Sequence, residues 1–323
     1  MRDVDIAIIG SGPAGLFAAY YAGFRGLSTV VIDALPEPGG QVTAMYPEKM
    51  IYDVAGFPAI RGRDLIANLV AQAAPYHPTY LLGVRAETLT YEDGRPVLGL
   101  AGEEPVRCGA VLITGGLGSF APRRLPAADA FAGEGVLHFV PHLDDLAGQR
   151  VVIVGGGDSA FDWALALAPV AKSVTMVHRR DTFRAHAGTV AKVKRLPVRI
   201  IVNAEVSRLI GVARVTAVEI TPKRGGEPEV VPADTVVAAL GFTADLGPLA
   251  QWGLRLQRRR ILVDSTMATN LPRVFAAGDI TEYPGKVRLI ATGFGEAATA
   301  VNNAAVVIDP AAHLFPGHSS DAG

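Results

Sequence analysis

The sequence predicts an α/β fold that contains two similar βαβ units. Each unit is marked by a glycine-rich segment that follows an apolar, strand-like stretch and precedes an apolar stretch compatible with a helix. The glycines allow the backbone to approach a pyrophosphate closely, and the helix N-terminus offers unpaired amides and positive dipole charge. Both segments therefore predict Rossmann-like dinucleotide-binding domains, with contacts from Gly10, Gly12, Pro13, Ala14 and Gly15 in the first and from Gly155, Gly157, Asp158, Ser159 and Ala160 in the second.

The ends of the second strands of the two units carry opposite charges. Asp33 ends this strand in the first unit, whereas His178, Arg179 and Arg180 occupy the corresponding place in the second, followed by Arg184. A carboxylate accepts hydrogen bonds from ribose hydroxyls and repels a 2′-phosphate, whereas arginines bind that phosphate. We therefore expect FAD in the first unit and NADPH in the second, with His178 assisting the phosphate contact.

Glycine-marked junctions near residues 116 and 241 predict how the two domains are connected. We expect a discontinuous FAD-binding domain from residues 1–115 and 242–323, with a C-terminal tail at 309–323. An NADPH-binding domain, residues 116–241, is inserted into it, and both domains are expected to be three-layer ββα structures. The apolar patterns also predict a loop rich in proline and glycine at 35–41 and helices at Ala14–Phe24, Arg63–Ala74 and Phe294–Val307.

Composition sets the outer limits of this interpretation. The chain has 323 residues, of which 50% are hydrophobic and 19% charged, so it is long enough for two domains with separate cores. The net charge of −1 gives no electrostatic reason to expect a nucleic-acid partner. The apolar N-terminal stretch contains Asp3 and Asp5 instead of a basic leader, and no apolar run reaches transmembrane length. We therefore expect no membrane association and a cytoplasmic location.

The cysteine and histidine content excludes several kinds of site. Cys108 is the single cysteine, so an intramolecular disulfide and a CxxC redox pair are both excluded, and a packing role is the expected one. His138 and His142 have the i, i+4 separation of helical metal ligands, but Pro141 between them argues against a helix. We therefore expect no metal site.

Four parts of the chain carry a specific resemblance to a known family: residues 39–41 with 46–49, residues 52–58, residues 155–160, and residues 283–286 with 293–297. They are similar to the thioredoxin-reductase-like ferredoxin–NADP reductases, a group within the two-dinucleotide flavoprotein disulfide reductases, and the match covers nearly the whole chain. Where thioredoxin reductases carry CxxC, this chain has a histidine-containing segment without a thiol, so reduction of a disulfide through a protein dithiol is excluded.

The resemblance implies further contacts with FAD. Asp33 stands where the family usually has a longer glutamate at the FAD ribose, and Asp279 would bind the ribityl side. Tyr46 would stack on one flavin face. His318 and Ser320 would lie over the opposite face, with the tail reaching across a homodimer. The side chains expected to line the FAD are Gln41, Ala86 and Phe120.

The resemblance also implies an activity, to which two alternatives stay open. NADPH would deliver a hydride to FAD, which requires stacking and alignment of the rings more than a protein acid or base. FAD would then release single electrons to ferredoxin or flavodoxin. The alternatives are an NADPH-dependent flavin monooxygenase and a non-enzymatic, NADPH-sensing flavoprotein. Candidate arginines for docking an acidic electron carrier are Arg61, Arg63, Arg123, Arg124, Arg258, Arg259 and Arg260.

Overall fold

A computed structural model describes residues 1–116, 118–315 and 317 of the chain. Its helices are α1 (Pro13–Phe24), α2 (Gln41–Met45), α3 (Gly62–Ala73), α4 (Asp158–Leu167), α5 (Ala187–Val193) and α6 (Ile290–Ile308). Its strands are β1 (Arg2–Ile9), β2 (Thr29–Asp33), β3 (Met50–Ile51), β4 (Ile60–Arg61), β5 (Thr79–Leu82), β6 (Ala86–Glu92), β7 (Arg95–Leu100), β8 (Glu103–Ile113), β9 (Ser119–Pro122), β10 (Val136–Leu137), β11 (Arg150–Val154), β12 (Ser173–His178), β13 (Val198–Val202), β14 (Ala204–Gly211), β15 (Val215–Pro222), β16 (Glu229–Pro232), β17 (Thr235–Ala238), β18 (Phe242–Asp245), β19 (Leu256–Gln257), β20 (Arg260–Leu262), β21 (Val274–Ala276) and β22 (Thr281–Glu282). Within this described part, no helix is both long and apolar enough to cross a bilayer.

The chain divides into two compact units. Unit 1 comprises Met1–Ala44, Met50–Ser119 and the chain from Ala244 onward, and unit 2 comprises Met45–Lys49 and Phe120–Thr243. The short segment Met45–Lys49 belongs to unit 2 because of its contacts; within that unit, Lys49 Nζ lies 2.6 Å from Asp162 Oδ2. Sequence patterns gave no sign of this grouping.

Unit 1 is built on a seven-stranded sheet with the order β5-β2-β1-β8-β7-β6, in which β21 pairs with the C-terminal part of β8. Strands β5, β2, β1, β8 and β21 are parallel, whereas β6, β7 and β8 form an antiparallel meander. Helices α1, α3 and α6 cover one face, where β1 contributes Ile6 and Ile8 and α6 contributes Ala300. The meander covers part of the opposite face, where Leu98 and Cys108 are fully buried.

Local sequence explains the bounds of the helices in unit 1. Helix α1 begins with Pro13 in its first turn, where the missing amide costs nothing, and Gly26 follows its end at a φ of 75°. Helix α6 begins at Ile290, four residues earlier than the sequence predicts, because the amide of Ile290 donates to the Asp53 carboxylate at 2.8 Å. That cap comes from a residue far away in sequence, so no local pattern announces it.

Unit 2 has the same layering as unit 1. Its parallel sheet has the order β10-β17-β11-β12-β13, and the antiparallel sheet β14-β15-β16 forms a second layer. Helices α4 and α5 pack on one face of the parallel sheet around Phe161 and Met176, and the second sheet packs on the other around Val218. The predicted fold class, an α/β structure with two three-layer ββα, Rossmann-like domains, is confirmed.

Candidate dinucleotide-binding sites

The first glycine loop lies between β1 and α1, and a side chain at each of its three glycines would meet different surroundings. A Cβ on Gly10, whose φ is 107°, would lie 2.8 Å from the backbone of Thr114. A Cβ on Gly15 would lie 1.9 Å from the carbonyl oxygen of Gly10, so only glycine lets helix and strand approach this closely. A Cβ on Gly12 would meet nothing within 4 Å. Gly12 therefore borders open space at the N-terminus of α1, where a pyrophosphate could approach the backbone.

A second glycine pair lies against this loop. The amide of Gly39 donates to the carbonyl of Ser11 at 2.8 Å, and a Cβ on Gly40 would lie 3.1 Å from Cα of Gly12. Gln41 follows at the start of α2, with its amide nitrogen 2.8 Å from where a Cβ on Gly116 would stand. The Pro- and Gly-rich segment thus forms one wall of the space beside Gly12, and Gln41 lies at that wall; its contact with FAD stays a prediction.

Asp33 lies at the end of β2 and is turned toward the first glycine loop. Its Oδ2 accepts hydrogen bonds from the amide of Ser11 at 2.6 Å and from the Ser11 hydroxyl at 2.7 Å, while Oδ1 accepts from the amide of Leu35 at 2.9 Å. A carboxylate has about four acceptor positions, so about one remains for a ribose hydroxyl. The contact with Ser11, which is fully buried, was not predicted. The ribose contact of Asp33 stays a prediction.

The Gly278–Asp279 turn lies beside the N-terminus of α1. A Cβ on Gly278, whose φ is 82°, would lie 3.2 Å from Cβ of Ala14. The Asp279 side chain is exposed, and its own carbonyl accepts a hydrogen bond from Arg260 Nη1. Arg260 therefore holds this turn, and its part in docking an electron carrier stays a prediction.

Two buried charged side chains bind the same turn, and a half-buried tyrosine binds one of them. Glu296 Oε2 accepts from the amide of Gly278 at 2.7 Å, and Lys286 Nζ donates to the carbonyl of Gly278 at 3.0 Å. Lys286 also pairs with Glu296 Oε1, and Tyr283 donates its hydroxyl to the same oxygen at 2.6 Å. Burial, assisted by the bond to Glu296, raises the pKa of Tyr283 to about 12, so this hydroxyl is a donor at neutral pH. These residues carry part of the family resemblance, but no sequence pattern indicates the network that they form.

The other residues predicted to line FAD lie in different parts of the chain. Ala86 is buried in the core of unit 1 at the start of β6. Tyr46 is half-buried in the segment that groups with unit 2, and Lys49 Nζ lies 5.9 Å from its ring centroid. The side chain of Phe120 and residues His318 and Ser320 lie outside the described residues. The flavin contacts of all five stay predictions.

The second glycine loop lies between β11 and α4 and repeats the steric pattern of the first. A Cβ on Gly155 would lie 2.4 Å from the carbonyl oxygen of Ala239, whereas a Cβ on Gly157 would meet nothing within 4 Å. Ala160 replaces the third glycine and is fully buried, and the side chain of Ser159 is exposed in the first turn of α4. Gly157 thus opens the space at the N-terminus of α4, as Gly12 does at α1.

Asp158 binds the loop that follows β12. Its Oδ1 accepts a hydrogen bond from the amide of His186 at 2.8 Å, and the amide of Arg184 donates to the carbonyl of Gly156 at 2.9 Å. Phe183 packs edge-on against Phe161 of α4 at 4.8 Å between ring centroids. The loop from 179 to 186 is therefore fixed against the second glycine loop by backbone and aromatic contacts.

His178 packs against the second glycine loop. A Cβ on Gly156 would lie 2.4 Å from its ring, and Nε2 lies 3.2 Å from the carbonyl oxygen of Thr182. A carbonyl only accepts, so Nε2 carries the proton. Burial is the main cause that lowers the pKa of His178, and the neighbouring arginines lower it further. The hydrogen bond to Thr182 acts in the opposite direction but is outweighed, so the neutral form of the ring predominates at pH 7. This placement supports the loop, and the predicted phosphate contact stays untested.

Arg179, Arg180 and Arg184 are all exposed. Their guanidinium groups make no hydrogen bond or ion pair with any part of the chain that the structure describes. Because they have no such partners, these side chains present unneutralised positive charge. Because the backbone beneath them is fixed, that charge is held in the loop that follows β12. This is the charge that a 2′-phosphate requires.

Each unit thus offers a site for one dinucleotide. Unit 1 combines a cleared space at Gly12, a helix N-terminus and the exposed carboxylate of Asp279, whereas unit 2 combines the space at Gly157 with exposed arginines. FAD fits the first set of groups and NADPH the second. No group of three or more His, Cys, Asp or Glu that could hold a metal ion occurs among the residues the structure describes.

The chain matches a family described as pyridine nucleotide-disulphide oxidoreductase over residues 4–304. It is 78% identical over 321 residues to a ferredoxin–NADP reductase of Salinispora arenicola, with 99% of each chain covered. It is 48% identical over 319 residues to ferredoxin–NADP reductase 2 of Shouchella clausii, covering 98% of this chain and 97% of the other. The thioredoxin reductase of T. acidophilum superposes with a TM-score of 0.79 at 27% identity, covering 96% and 99% of the two chains. The resemblance read from the sequence is confirmed, and the chain belongs to the pyridine nucleotide-disulphide oxidoreductase family.

Proposed function

We propose that the protein is a flavoprotein ferredoxin–NADP reductase that transfers electrons between NADPH and ferredoxin or flavodoxin through bound FAD. The observation that carries the proposal is the difference in charge between two sterically equivalent sites. Asp33 places a carboxylate at the end of β2, whereas Arg179 and Arg180 place exposed, unneutralised charge at the end of β12. The names of relatives at up to 78% identity over nearly the full chain support the same activity.

In this proposal, unit 1 binds FAD. The pyrophosphate lies at the N-terminus of α1 beside Gly12, where amides without intrahelical partners and the helix dipole stabilise it. The remaining acceptor capacity of Asp33 is directed at the ribose, and the exposed carboxylate of Asp279 accepts hydrogen bonds from ribityl hydroxyls. Tyr46 and His318 are the proposed neighbours of the two flavin faces, and Ser320, Gln41, Ala86 and the Phe120 side chain complete the proposed set.

Unit 2 binds NADPH in the corresponding way. Gly157 and the first turn of α4 face the pyrophosphate, while Arg179 and Arg180 bind the 2′-phosphate. Asp158 fixes the loop by accepting the His186 amide, and the remaining acceptor positions of its exposed carboxylate are available to the nucleotide. We assign residues 1–115 and 242–323 to the FAD-binding domain and 116–241 to the NADPH-binding domain.

The residues of this chain bind and orient, and the cofactors supply the redox chemistry. When bound, FAD accepts a hydride from NADPH and passes electrons singly to the protein acceptor. A protein dithiol has no part in this, because Cys108 is the single cysteine and is fully buried. The proposal extends to a homodimer with the tail reaching across it, and to a cytoplasmic location.

Steady-state turnover tests the proposal. Purified protein is mixed with excess NADPH and a ferredoxin or flavodoxin, and acceptor reduction is followed together with flavin absorbance and oxygen consumption. A reductase reduces the acceptor continuously, far beyond one equivalent per flavin. An NADPH sensor would bleach its flavin once and stop, and a monooxygenase would consume oxygen in proportion to an organic substrate. Either of the last two results would refute the proposal.

A further inference from the structure

The most deeply buried charges near the proposed FAD site belong to Lys286 and Glu296. Their side chains are only 1% and 4% exposed, and Lys286 Nζ is paired with Glu296 Oε1. Removing two charges from water is costly, and a buried ion pair is no more stabilising than a well-packed apolar pair of the same volume. Stability alone therefore does not account for this pair, and its other contacts indicate what it does.

Those contacts converge on one residue, Gly278. Glu296 accepts the amide of Gly278 at 2.7 Å, and Lys286 donates to its carbonyl at 3.0 Å. The hydroxyl of Thr281 donates to the same carbonyl at 2.8 Å. Both polar groups of Gly278 are therefore fixed, in a backbone conformation with a φ of 82°. Tyr283 in turn fixes Glu296 through its hydroxyl at 2.6 Å.

The position of the turn gives this restraint a consequence. Gly278 lies against Ala14 at the N-terminus of α1, and a Cβ on Gly293 in α6 would lie 3.5 Å from Cα of Gly278. The next residue, Asp279, presents an exposed carboxylate. An FAD-binding turn that is held in one conformation binds more tightly than one that samples several. The apparent dissociation constant equals the intrinsic constant divided by the fraction of molecules in the competent conformation, so it rises as that fraction falls.

We propose that Lys286 and Glu296, supported by Tyr283, are positioning residues that hold the Gly278–Asp279 turn in the conformation that binds FAD. This inference rests on the proposed function and names the groups that organise its FAD site. If the turn is competent only about one tenth of the time without the pair, the apparent dissociation constant for FAD rises about tenfold.

The experiment uses full-length holoprotein and the double variant Lys286→Met/Glu296→Leu, which removes both charges together and leaves no buried charge unpaired. FAD affinity and release are measured by flavin fluorescence on dilution, and folding is measured by near-UV circular dichroism and thermal midpoint. We expect about tenfold weaker FAD binding with the fold retained. The control is Asp3→Asn/Arg107→Met, which removes the exposed ion pairs of Asp3 with Arg107 and Arg95 at the opposite end of β1, and it should leave FAD affinity unchanged.

Tyr283→Phe is the second variant, because it removes a single hydroxyl and leaves the ion pair in place. We expect about threefold weaker FAD binding and an unchanged thermal midpoint of the FAD-free protein. If the double variant fails to fold, this variant decides the matter. Unchanged FAD affinity in a folded double variant, or in Tyr283→Phe, would overturn the proposal while leaving the reductase function intact. Failure of the wild-type protein to bind FAD would instead overturn the proposed function.

Discussion

Replacing Arg179 or Arg180 by alanine should impair the use of NADPH and spare NADH. The two nucleotides differ at this point only by the 2′-phosphate, and both side chains are exposed at the end of β12. The loop beneath them is fixed by hydrogen bonds that neither substitution touches: the amide of His186 donates to the Asp158 carboxylate, and the amide of Arg184 donates to the carbonyl of Gly156. Alanine should therefore remove charge without moving the backbone.

The magnitude follows from the type of bond and its exposure. A hydrogen bond to a charged group contributes about 1.5–3 kcal/mol, and solvent screening at an exposed site favours the lower half of this range. A loss of about 1.5–2 kcal/mol corresponds to about a 10–30-fold decrease in kcat/KM for NADPH. Because the phosphate contact is made equally in the ground state and the transition state, the change should appear mainly in KM.

Steady-state kinetics with both nucleotides, at low and high ionic strength, provide the assay. Arg195→Ala is the matched control, because Arg195 is exposed in the same unit but precedes the first residue of β13, whereas Arg179 and Arg180 follow the last residue of the neighbouring parallel strand β12. It should leave both nucleotides unaffected. Equal losses for NADH and NADPH in the Arg179 or Arg180 variants would refute the assignment of the phosphate site.

Three further outcomes are expected. Cys108 should resist alkylation in the folded protein at pH 8, with activity retained, because its thiol is fully buried and has a pKa of about 12; rapid labelling of native protein would contradict this. Gly12→Ala should leave the thermal midpoint of the FAD-free protein unchanged and weaken FAD binding, because its Cβ meets nothing within 4 Å in the protein. Gly15→Ala should instead destabilise unit 1 by about 3 kcal/mol, because its Cβ would overlap the carbonyl oxygen of Gly10. The hydrogen bonds from Arg150 lower the pKa of Asp234 from 3.8 to about 2, so this contact stabilises the fold above pH 4 and is lost as the pH falls toward 2. In urea unfolding, Asp234→Asn should therefore cost more stability at pH 6 than at pH 3, and an equal cost at both would exclude the ion pair as its cause.

The layered architecture could be predicted because its signals are local. The strands β1 and β11 are short apolar runs that end at glycines, and α1 begins at a proline. The first turn of α6 could not be predicted, since its cap is Asp53, more than two hundred residues away. Segment 45–49 likewise groups with unit 2 through an ion pair with Asp162 that no periodicity encodes.

The site residues also fall into those that local sequence identifies and those that depend on tertiary packing. Glycines such as Gly12 and Gly15 were identifiable because their roles follow from the missing Cβ and the neighbouring helix. Lys286 and Glu296 were not, because an ionisable pair in sequence normally indicates a solvated surface, and only the packing of α6 against the Gly278 turn buries it. Buried charge is a tertiary property, so the organising network of the turn was invisible in the sequence.

The residue at the end of the second strand of each unit contacts the glycine loop and also lies where the ribose of a dinucleotide is expected. Asp33 and His178 stand at corresponding places, and each is fastened to its own glycine loop: Asp33 through hydrogen bonds to Ser11, and His178 by packing against Gly156. In unit 1, one carboxylate must therefore serve both the loop and, as we propose, the ribose. In unit 2, the imidazole packs against the loop, and the charge that we propose selects the nucleotide lies on the next residues, Arg179 and its neighbour. In this proposal, the preference of unit 2 for a phosphorylated ribose can change without loosening its glycine loop, whereas in unit 1 the two properties are coupled through a single side chain.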